Sequence, residues 1–380
     1  METFNDQIKL SVILPCRNEE QALGLCLKKI QEIIALNKLE AEIIVSDSST
    51  DNSPQIAREF GVRLIKHDQD GYGRAYLEAF KEAKGQYIFM ADADHTYDFS
   101  EIPEFLKHLE NGYDLVIGNR FAKKLQPGAM SWSHQYLGNP LLSGLFRLFF
   151  KTPITDVHSG LRAINKNFLD QLNLKTTGME FASEMLIKAI RNRARIKELP
   201  IDYHPRLGLS KLKTFTDGWR HLRFMLLYSP LFLFFLPGLL MLILGLLILG
   251  LIYFEALNIF GFHFQYHPMF IGSLLVITGY QLIIFALFAK TYALTNLNEN
   301  YPLMTKLHQY LTIEKVSLLG LGIGLIGFLI YLMIFLKWWN NDFGPLNEIK
   351  NSIIALTLIT IGLQTISSSF MLSILGIKEK

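Results

Sequence analysis

From Leu10 onward the chain alternates short apolar runs with longer stretches whose apolar residues recur every three or four positions. Leu10-Ser-Val-Ile-Leu-Pro is β-branched and apolar, which predicts a buried strand stopped at Pro15. Asn18-Glu-Glu then opens a helix with Leu23, Leu27, Ile30, Ile33 and Ile34 on one face. A second strand, Glu42-Ile-Ile-Val-Ser, runs into Asp47-Ser-Ser-Thr-Asp51, whose side-chain oxygens suit a turn and a helix N-cap. The strand Val62-Arg-Leu-Ile, a loop at Asp70-Gly-Tyr-Gly-Arg74, a helix to Ala83 and the strand Gln86-Tyr-Ile-Phe-Met-Ala continue the alternation. Strands and helices in this rhythm predict a mostly parallel sheet covered on both faces, an α/β Rossmann-like fold. Such sheets bind ligands at the carboxyl ends of their strands, which here carry Asp47, Asp92, Asp94 and Asn119-Arg120.

After Tyr228 the pattern changes. Four nearly uncharged runs, about 230–254, 268–289, 316–336 and 352–376, are each long enough at helical rise to cross ~30 Å of hydrocarbon. The third and fourth are rich in Gly and Ser, which let helices approach closely in lipid. Just upstream, Asp217-Gly-Trp-Arg-His-Leu-Arg-Phe-Met-Leu-Leu-Tyr mixes Trp219, Arg220 and Arg223 with apolar residues at helical spacing, as an amphipathic helix in the interface plane does. Ser143-Gly-Leu-Phe-Arg-Leu-Phe-Phe-Lys reads either as a second such helix or as a core helix. The expected organisation is a domain over 1–213, an interfacial helix over 214–229 and an α-helical transmembrane domain of four helices over 230–380.

Composition sharpens this division. Half of the 380 residues are hydrophobic, but nearly all the charge precedes Tyr228. A net charge of +3 is too small to argue for nucleic acid. The two cysteines, Cys16 and Cys26, fall at a strand end and on the following helix, not in a disulfide or metal framework, and suit a reducing compartment. Met1-Glu-Thr-Phe-Asn-Asp lacks the basic and apolar regions of a secretory signal. Lys290, Lys306, Lys315, Lys378 and Lys380 outnumber Lys337 and Lys350 on the other side, which puts both termini and the first domain in the cytosol. No run carries a mid-membrane charge pair of the kind transport uses.

Asp92-Ala-Asp94 follows an apolar strand directly and sets two carboxylates on the loop leaving the sheet. Paired carboxylates suit a hard divalent ion such as Mg²⁺, which takes one or two of them plus substrate phosphates. The bland alternative is a pair of solvated turn acids.

The motifs Val12-Ile-Leu-Pro-Cys-Arg-Asn-Glu-Glu, Asp47-Ser-Ser-Thr-Asp, Met90-Ala-Asp-Ala-Asp, Leu115-Val-Ile-Gly-Asn-Arg-Phe, Asp156-Val-His-Ser-Gly-Leu-Arg and Arg206-Leu-Gly-Leu-Ser-Lys occur in this order. Residues about 9–228 thereby resemble family 2 glycosyltransferases of GT-A fold, and within them the polyprenyl-phosphate glycosyltransferases such as dolichol-phosphate mannose and glucose synthases. The resemblance implies a UDP- or GDP-sugar donor, a polyprenyl-phosphate acceptor in the membrane and Mg²⁺ or Mn²⁺. It implies that Pro15, Asn18 and Glu19 line the nucleotide pocket, that Asp47 contacts the base, and that Asp92 lies near the nucleotide-sugar with Asp94 on the metal. Arg120 is then expected to meet the acceptor phosphate, Arg206, Ser210 and Lys211 to close over the diphosphate, and Glu184 to sit near the sugar. Each has a plainer rival. Arg120 suits a structural salt bridge, Gly71 and Gly73 suit a simple chain turn as well as donor contact, and Asp156, Ser159, Gly160 and Arg162 suit a tight turn beneath the site.

The pattern also departs from the family. His95-Thr96 follow Asp94 where the family has Gln as a further metal contact, which leaves Thr96, His95 or the more distant Asp98 as third ligand. Ser46-Asp47 stands for an expected Asp-Asp, and a second acceptor arginine is absent upstream of Asn139, where Ser131, His134 and Gln135 occur and His134 is expected to take over in part. A polyprenyl monophosphate is already ionised, so its attack requires positioning and leaving-group stabilisation but no general base. Rival functions are a non-processive transferase elongating a glycolipid or polysaccharide, and an inactive nucleotide-sugar-binding scaffold. The Gln-X-X-Arg-Trp string of processive synthases does not occur. The expected setting is a multi-pass protein of a prokaryotic plasma membrane, with room for a homo-oligomer. The stretch from Arg206 to Tyr228 is expected to link the donor loop to the interfacial helix and so hold the site at headgroup level.

Overall fold

The computed structural model describes residues 8–123, 125–208, 214–255, 258–259, 262–263, 265–296 and 312–376. It divides into two compact units, Met1–Tyr228 and Ser229–Lys380.

The first unit is built on a seven-stranded sheet. Its strands are β1 (Leu10–Cys16), β2 (Ala41–Asp47), β3 (Arg63–Lys66), β4 (Tyr87–Met90), β5 (Leu115–Asn119), β6 (Arg162–Asn165) and β7 (Ile196–Pro200), in the order β3-β2-β1-β4-β6-β5-β7. All neighbours pair in parallel except β6, which is antiparallel to both β4 and β5. Central strands bury both faces, and so β1 is almost wholly apolar. Val12 and Leu14 enter one core with helices α1 (Leu23–Leu36), α2 (Ser53–Glu59) and α4 (Ile102–Glu110); Ile13 enters the other with α3 (Tyr72–Glu82), α5 (Asn139–Phe150), α6 (Lys166–Leu172), α7 (Phe181–Arg191) and α8 (Thr214–Leu227).

Two local expectations change. β1 runs through Pro15 to Cys16 instead of stopping. Ile13 points its carbonyl to the β4 side, where Ala91 N–H donates to it, and Cys16 points to the β2 side, where Ser48 N–H does the same; Pro15 therefore faces β4 beyond the last paired residue, and its missing N–H leaves no ladder bond unmade. The first helix begins at Leu23 and not at Asn18, because Asn18 takes a left-handed backbone (φ +52°) and Glu19 only starts the turn that precedes the helix.

Among the described residues the second unit has four long apolar helices: α9 (Leu236–Tyr253, entered through a π-helical turn at Leu231–Phe235), α10 (His267–Asn296), α11 (Ile313–Asn340) and α12 (Ile349–Gly376). Glycines set their spacing. A Cβ on Gly245 would lie 2.6 Å from the Gly272 carbonyl, and one on Gly362 would lie 2.6 Å from the Gly320 carbonyl, so α9 packs on α10 and α11 on α12 with backbones nearly touching. Ser273–Thr357 and Tyr280–Thr365 hydroxyl pairs, both at 2.6 Å, join α10 to α12. Glycine packing thus serves the first two helices as well as the last two.

Candidate active site

The carboxyl ends of β1, β2, β4 and β5 carry the polar residues, because there the strands leave the core and side chains can turn inward to one another. The loops after β1 and β2 are sewn together. Asn18 N–H donates to Ser49 Oγ at 2.7 Å, Thr50 N–H to Asn18 Oδ1 at 2.8 Å and Glu19 N–H to Ser53 Oγ at 3.0 Å. Asp47, fully buried at the end of β2, accepts Ser49 Oγ–H on one oxygen at 2.5 Å; its other oxygen is buried with no partner among the described residues. An orphaned carboxylate oxygen is costly in a dry site and is a natural acceptor for a ligand N–H. Pro15 lies beside this stitching at the end of β1, and Asp51 supports α2 by accepting from Ser53 N–H at 2.9 Å.

Asp92 and Asp94 follow β4. Asp94 accepts from the Thr96 N–H at 3.1 Å and the Thr96 hydroxyl at 2.5 Å on one oxygen, while its other oxygen pairs with Arg206 Nη1 at 3.1 Å. Arg206 also pairs with Glu19, so one guanidinium joins the β1, β4 and β7 ends. Burial, then the charge of Asp94, pushes Asp92 up to about 7, against the pull of Arg206, Tyr72 and Arg120. This donor set suits a divalent cation, since two acids one residue apart repel and a cation between them relieves the repulsion. Among the described residues no group of three His, Cys, Asp or Glu side chains could hold an ion, so substrate phosphate oxygens would complete its shell. The Thr96 hydroxyl donates to Asp94 and orients that carboxylate. His95, left-handed at φ +68°, is exposed, and Asp98 caps the next turn through Ser100 N–H at 2.9 Å.

Arg120 leaves β5 and is buried in a two-pronged pair with Asp156: Nε to Oδ2 at 2.8 Å and Nη2 to Oδ1 at 2.7 Å, with the Arg120 N–H on Oδ2 at 3.0 Å. Its guanidinium lies 5.3 Å from the Tyr203 ring. The tight turn at 156–162 also reaches Asp92: Gly160 N–H donates to Tyr97 OH at 2.7 Å, and a Cβ on Gly160 would come within 2.7 Å of Asp92 Oδ2. Arg162 is wholly buried and donates to the carbonyls of Ser159, Val157 and Ala182 at 2.8–2.9 Å.

Other predicted residues are placed differently. Gly71, at φ +141°, and Gly73 let α3 lie against the 176–178 loop, since a Cβ on either would meet a Thr177 or Thr176 carbonyl at 2.3 Å. Glu184 is buried in α7 and backs that loop, accepting from Lys175 N–H at 3.0 Å, from Thr176 N–H at 2.8 Å and from its hydroxyl at 2.6 Å, with Lys188 at 2.7 Å. Burial opposes its ionisation, but Lys188 and Thr176 hold its carboxyl below the usual range. Glu184 therefore props the loop beside Gly73 with a carboxylate that is fully engaged. His134 opens a π-helical turn, half-buried, and among the described residues touches neither Arg120 nor Asp156. Ser210 and Lys211 lie outside the described residues. Sequence reasoning missed Tyr97, Glu198 and the Arg206–Asp94 pair, whose partners lie far away in the chain and carry no local signal.

Residues 11–172 match the model for glycosyl transferase family 2, and residues 287–376 match that for the family 2 C-terminal transmembrane region. The chain is 36% identical over 368 residues to a Haloferax volcanii protein named low-salt glycan biosynthesis hexosyltransferase Agl6, covering 97% of this chain and 89% of that one. It is 33% identical over 218 residues to a dolichyl-phosphate hexose transferase of the same organism, covering 57% of this chain and 90% of that one. Among solved structures, glucosyl-3-phosphoglycerate synthase of Mycobacterium tuberculosis aligns with 58% of this chain and 80% of its own at 20% identity and a TM-score of 0.47, a depth that says nothing of substrate or metal. A GT-A-type sheet with its acids at the strand ends, a four-helix membrane unit among the described residues, and a relative matched along nearly the whole length make one conclusion: this chain is an enzyme that belongs to the family 2 glycosyltransferases.

Proposed function

We propose that the chain transfers one sugar from a UDP- or GDP-sugar to a polyprenyl phosphate, undecaprenyl or dolichyl, at the cytosolic face of a prokaryotic plasma membrane. The observation that carries this reading is Arg120, a buried guanidinium aimed by Asp156 at the sheet end that also bears Asp92 and Asp94. A fixed cation there suits an anionic acceptor that needs no general base. The relative named for dolichyl-phosphate hexose transfer supports the same acceptor class.

The residues divide the work. Asp47 receives the base with its unpartnered oxygen, next to Pro15, Asn18 and Glu19. Asp94, oriented by Thr96, and Asp92 would hold Mg²⁺ or Mn²⁺, which when bound would supply positive charge against the diphosphate. Arg206, with Ser210 and Lys211 a few positions further along the chain, covers that diphosphate. Arg120 holds the acceptor phosphate for in-line, inverting attack at the anomeric carbon. Gly71 and Gly73 shape the donor wall that Glu184 props from behind.

The acceptor comes from the membrane, and the first unit has a surface suited to it. Trp132, Tyr136, Leu137, Leu141 and Leu148 on and before α5, and Phe215, Trp219 and Leu227 on α8, are each more than half exposed. Phe146 and Met225 anchor the opposite sides of these two helices in the core. An outward apolar stripe with Arg147, Arg220 and Arg223 beside it fits the headgroup layer.

The test is purified full-length protein in detergent with undecaprenyl or dolichyl phosphate, Mn²⁺ and a panel of labelled nucleotide-sugars. A lipid-soluble, mild-acid-labile product that disappears in Asp94→Ala supports the proposal. Turnover only when a preformed glycolipid replaces the polyprenyl phosphate would establish the elongating alternative. Donor binding with no turnover on either acceptor would leave the scaffold reading.

A further inference from the structure

One carboxylate lies a step behind the Arg120–Asp156 pair, and we infer that this residue, Glu198, is a positioning residue for the acceptor phosphate. The inference rests on the role proposed above for Arg120. Glu198 sits on β7, whose parallel pairing with β5 sets it opposite Ile117 and sets Pro200 opposite Asn119. Its Oε1 accepts from Thr155 N–H at 3.0 Å and from Asp156 N–H at 2.8 Å, and its Oε2 accepts from the Thr155 hydroxyl at 2.9 Å. That hydroxyl oxygen in turn accepts from Asn119 Nδ2 at 2.7 Å, and Asn119 Oδ1 accepts from Phe121 N–H at 2.9 Å. Glu198 therefore ties down both supports of Arg120: the residue before it on β5 and the aspartate that aims its guanidinium.

The segment between α5 and β6 has no strand partner for these two consecutive N–H groups. A charged acceptor on a strand supplies one, with charge-assisted bonds stronger than neutral ones. Without it the bonds between Arg120 and Asp156 persist, but the pair can shift as a body and the phosphate meets a guanidinium of variable position. Thr155 is exposed, so water can satisfy its N–H, and a Gln at position 198 keeps one carbonyl oxygen for the N–H of the buried Asp156. The consequence falls on position more than on folding.

The experiment measures binding of farnesyl phosphate to full-length protein in detergent by calorimetry, alongside thermal unfolding. Glu198→Gln is expected to weaken binding about tenfold, the size of one charge-assisted hydrogen bond, with the unfolding midpoint nearly unchanged. Thr155→Val is expected to produce a smaller loss in the same direction. On an Arg120→Ala background Glu198→Gln should add nothing, because its effect passes through the guanidinium. If Arg120→Ala itself binds like wild type, or wild type does not bind, the parent reading of Arg120 fails. If Arg120→Ala weakens binding but Glu198→Gln does not, or its loss persists unchanged in the double variant, the role of Glu198 is overturned and that of Arg120 stands.

Discussion

At the scale of single residues, the site sets acids held by named partners, Asp94 and Asp156, beside Asp47, one of whose oxygens has no partner among the described residues. Thr96 fixes Asp94 through a 2.5 Å hydroxyl bond, so Thr96→Val should lower kcat/KM about tenfold while leaving the fold intact, as steady-state kinetics and circular dichroism would show. Arg162 is different in kind. It is a buried cation whose direct partners among the described residues are three carbonyls and no carboxylate, and Arg162→Met strands all three. A loss of about 3 kcal/mol in urea unfolding of the catalytic unit is expected, and an unchanged midpoint would show that the cage is dispensable. The adjacency of Asp92 and Asp94 was legible in the chain because both requirements, a strand end and a second acid, are local. The cage around Arg162 was not, since Ala182 lies twenty residues away on α7. Nor was the engagement of Glu184, whose partners Lys175 and Thr176 come from a loop preceding its helix.

At the scale of elements, α8 and α5 each bury one side in the core and turn apolar side chains outward on the other. On α8 the inward residue His221 accepts or donates at Ser183 Oγ, 2.9 Å away, and stacks edge-on against His158 at 4.4 Å. Burial depresses His221 to about 4, with Arg162 helping and Asp217 opposing, and burial also drives His158 well below the usual imidazole range. A depressed imidazole binds fewer protons folded than unfolded, so stability is present above the ordinary value near 6.5 and is lost as pH falls toward 4. The protection factors of α8 amides, corrected for the intrinsic pH dependence of exchange, should therefore fall on acidification from pH 7 to pH 5, and His221→Asn should flatten that response. The periodicity of α8 announced an amphipathic helix, and the structure shows which face docks. For α5 the sequence left core and interface open, and the structure buries Ser143 and Phe146 in the core while Leu141 and Leu148 face outward. A bimane label at position 141 in nanodiscs should be quenched by brominated lipids if that stripe meets the headgroup layer, and no quenching would remove α5 from the interface.

At the scale of the whole molecule, each unit carries its own core, and the membrane unit depends on backbone contact between helices. Gly362→Leu cannot be accommodated against Gly320 and Gly324, so it should lower the detergent unfolding temperature of the helices while UDP or GDP binding to the catalytic unit survives. The sequence by itself determined which parts are sheet and which are membrane helix, because hydrophobic period and run length are properties of neighbours along the chain. It also determined the acids at the strand ends, since strand termini follow from where apolar runs stop. Only the tertiary structure decided that β6 enters the sheet antiparallel, which swings Asp156 beneath Arg120, and that Arg206 closes on Asp94 and Glu19. Those pairings join residues 36 to 187 positions apart, and a charge's partner at that separation is set by how strands cross in space, a relation that no local pattern in the chain records.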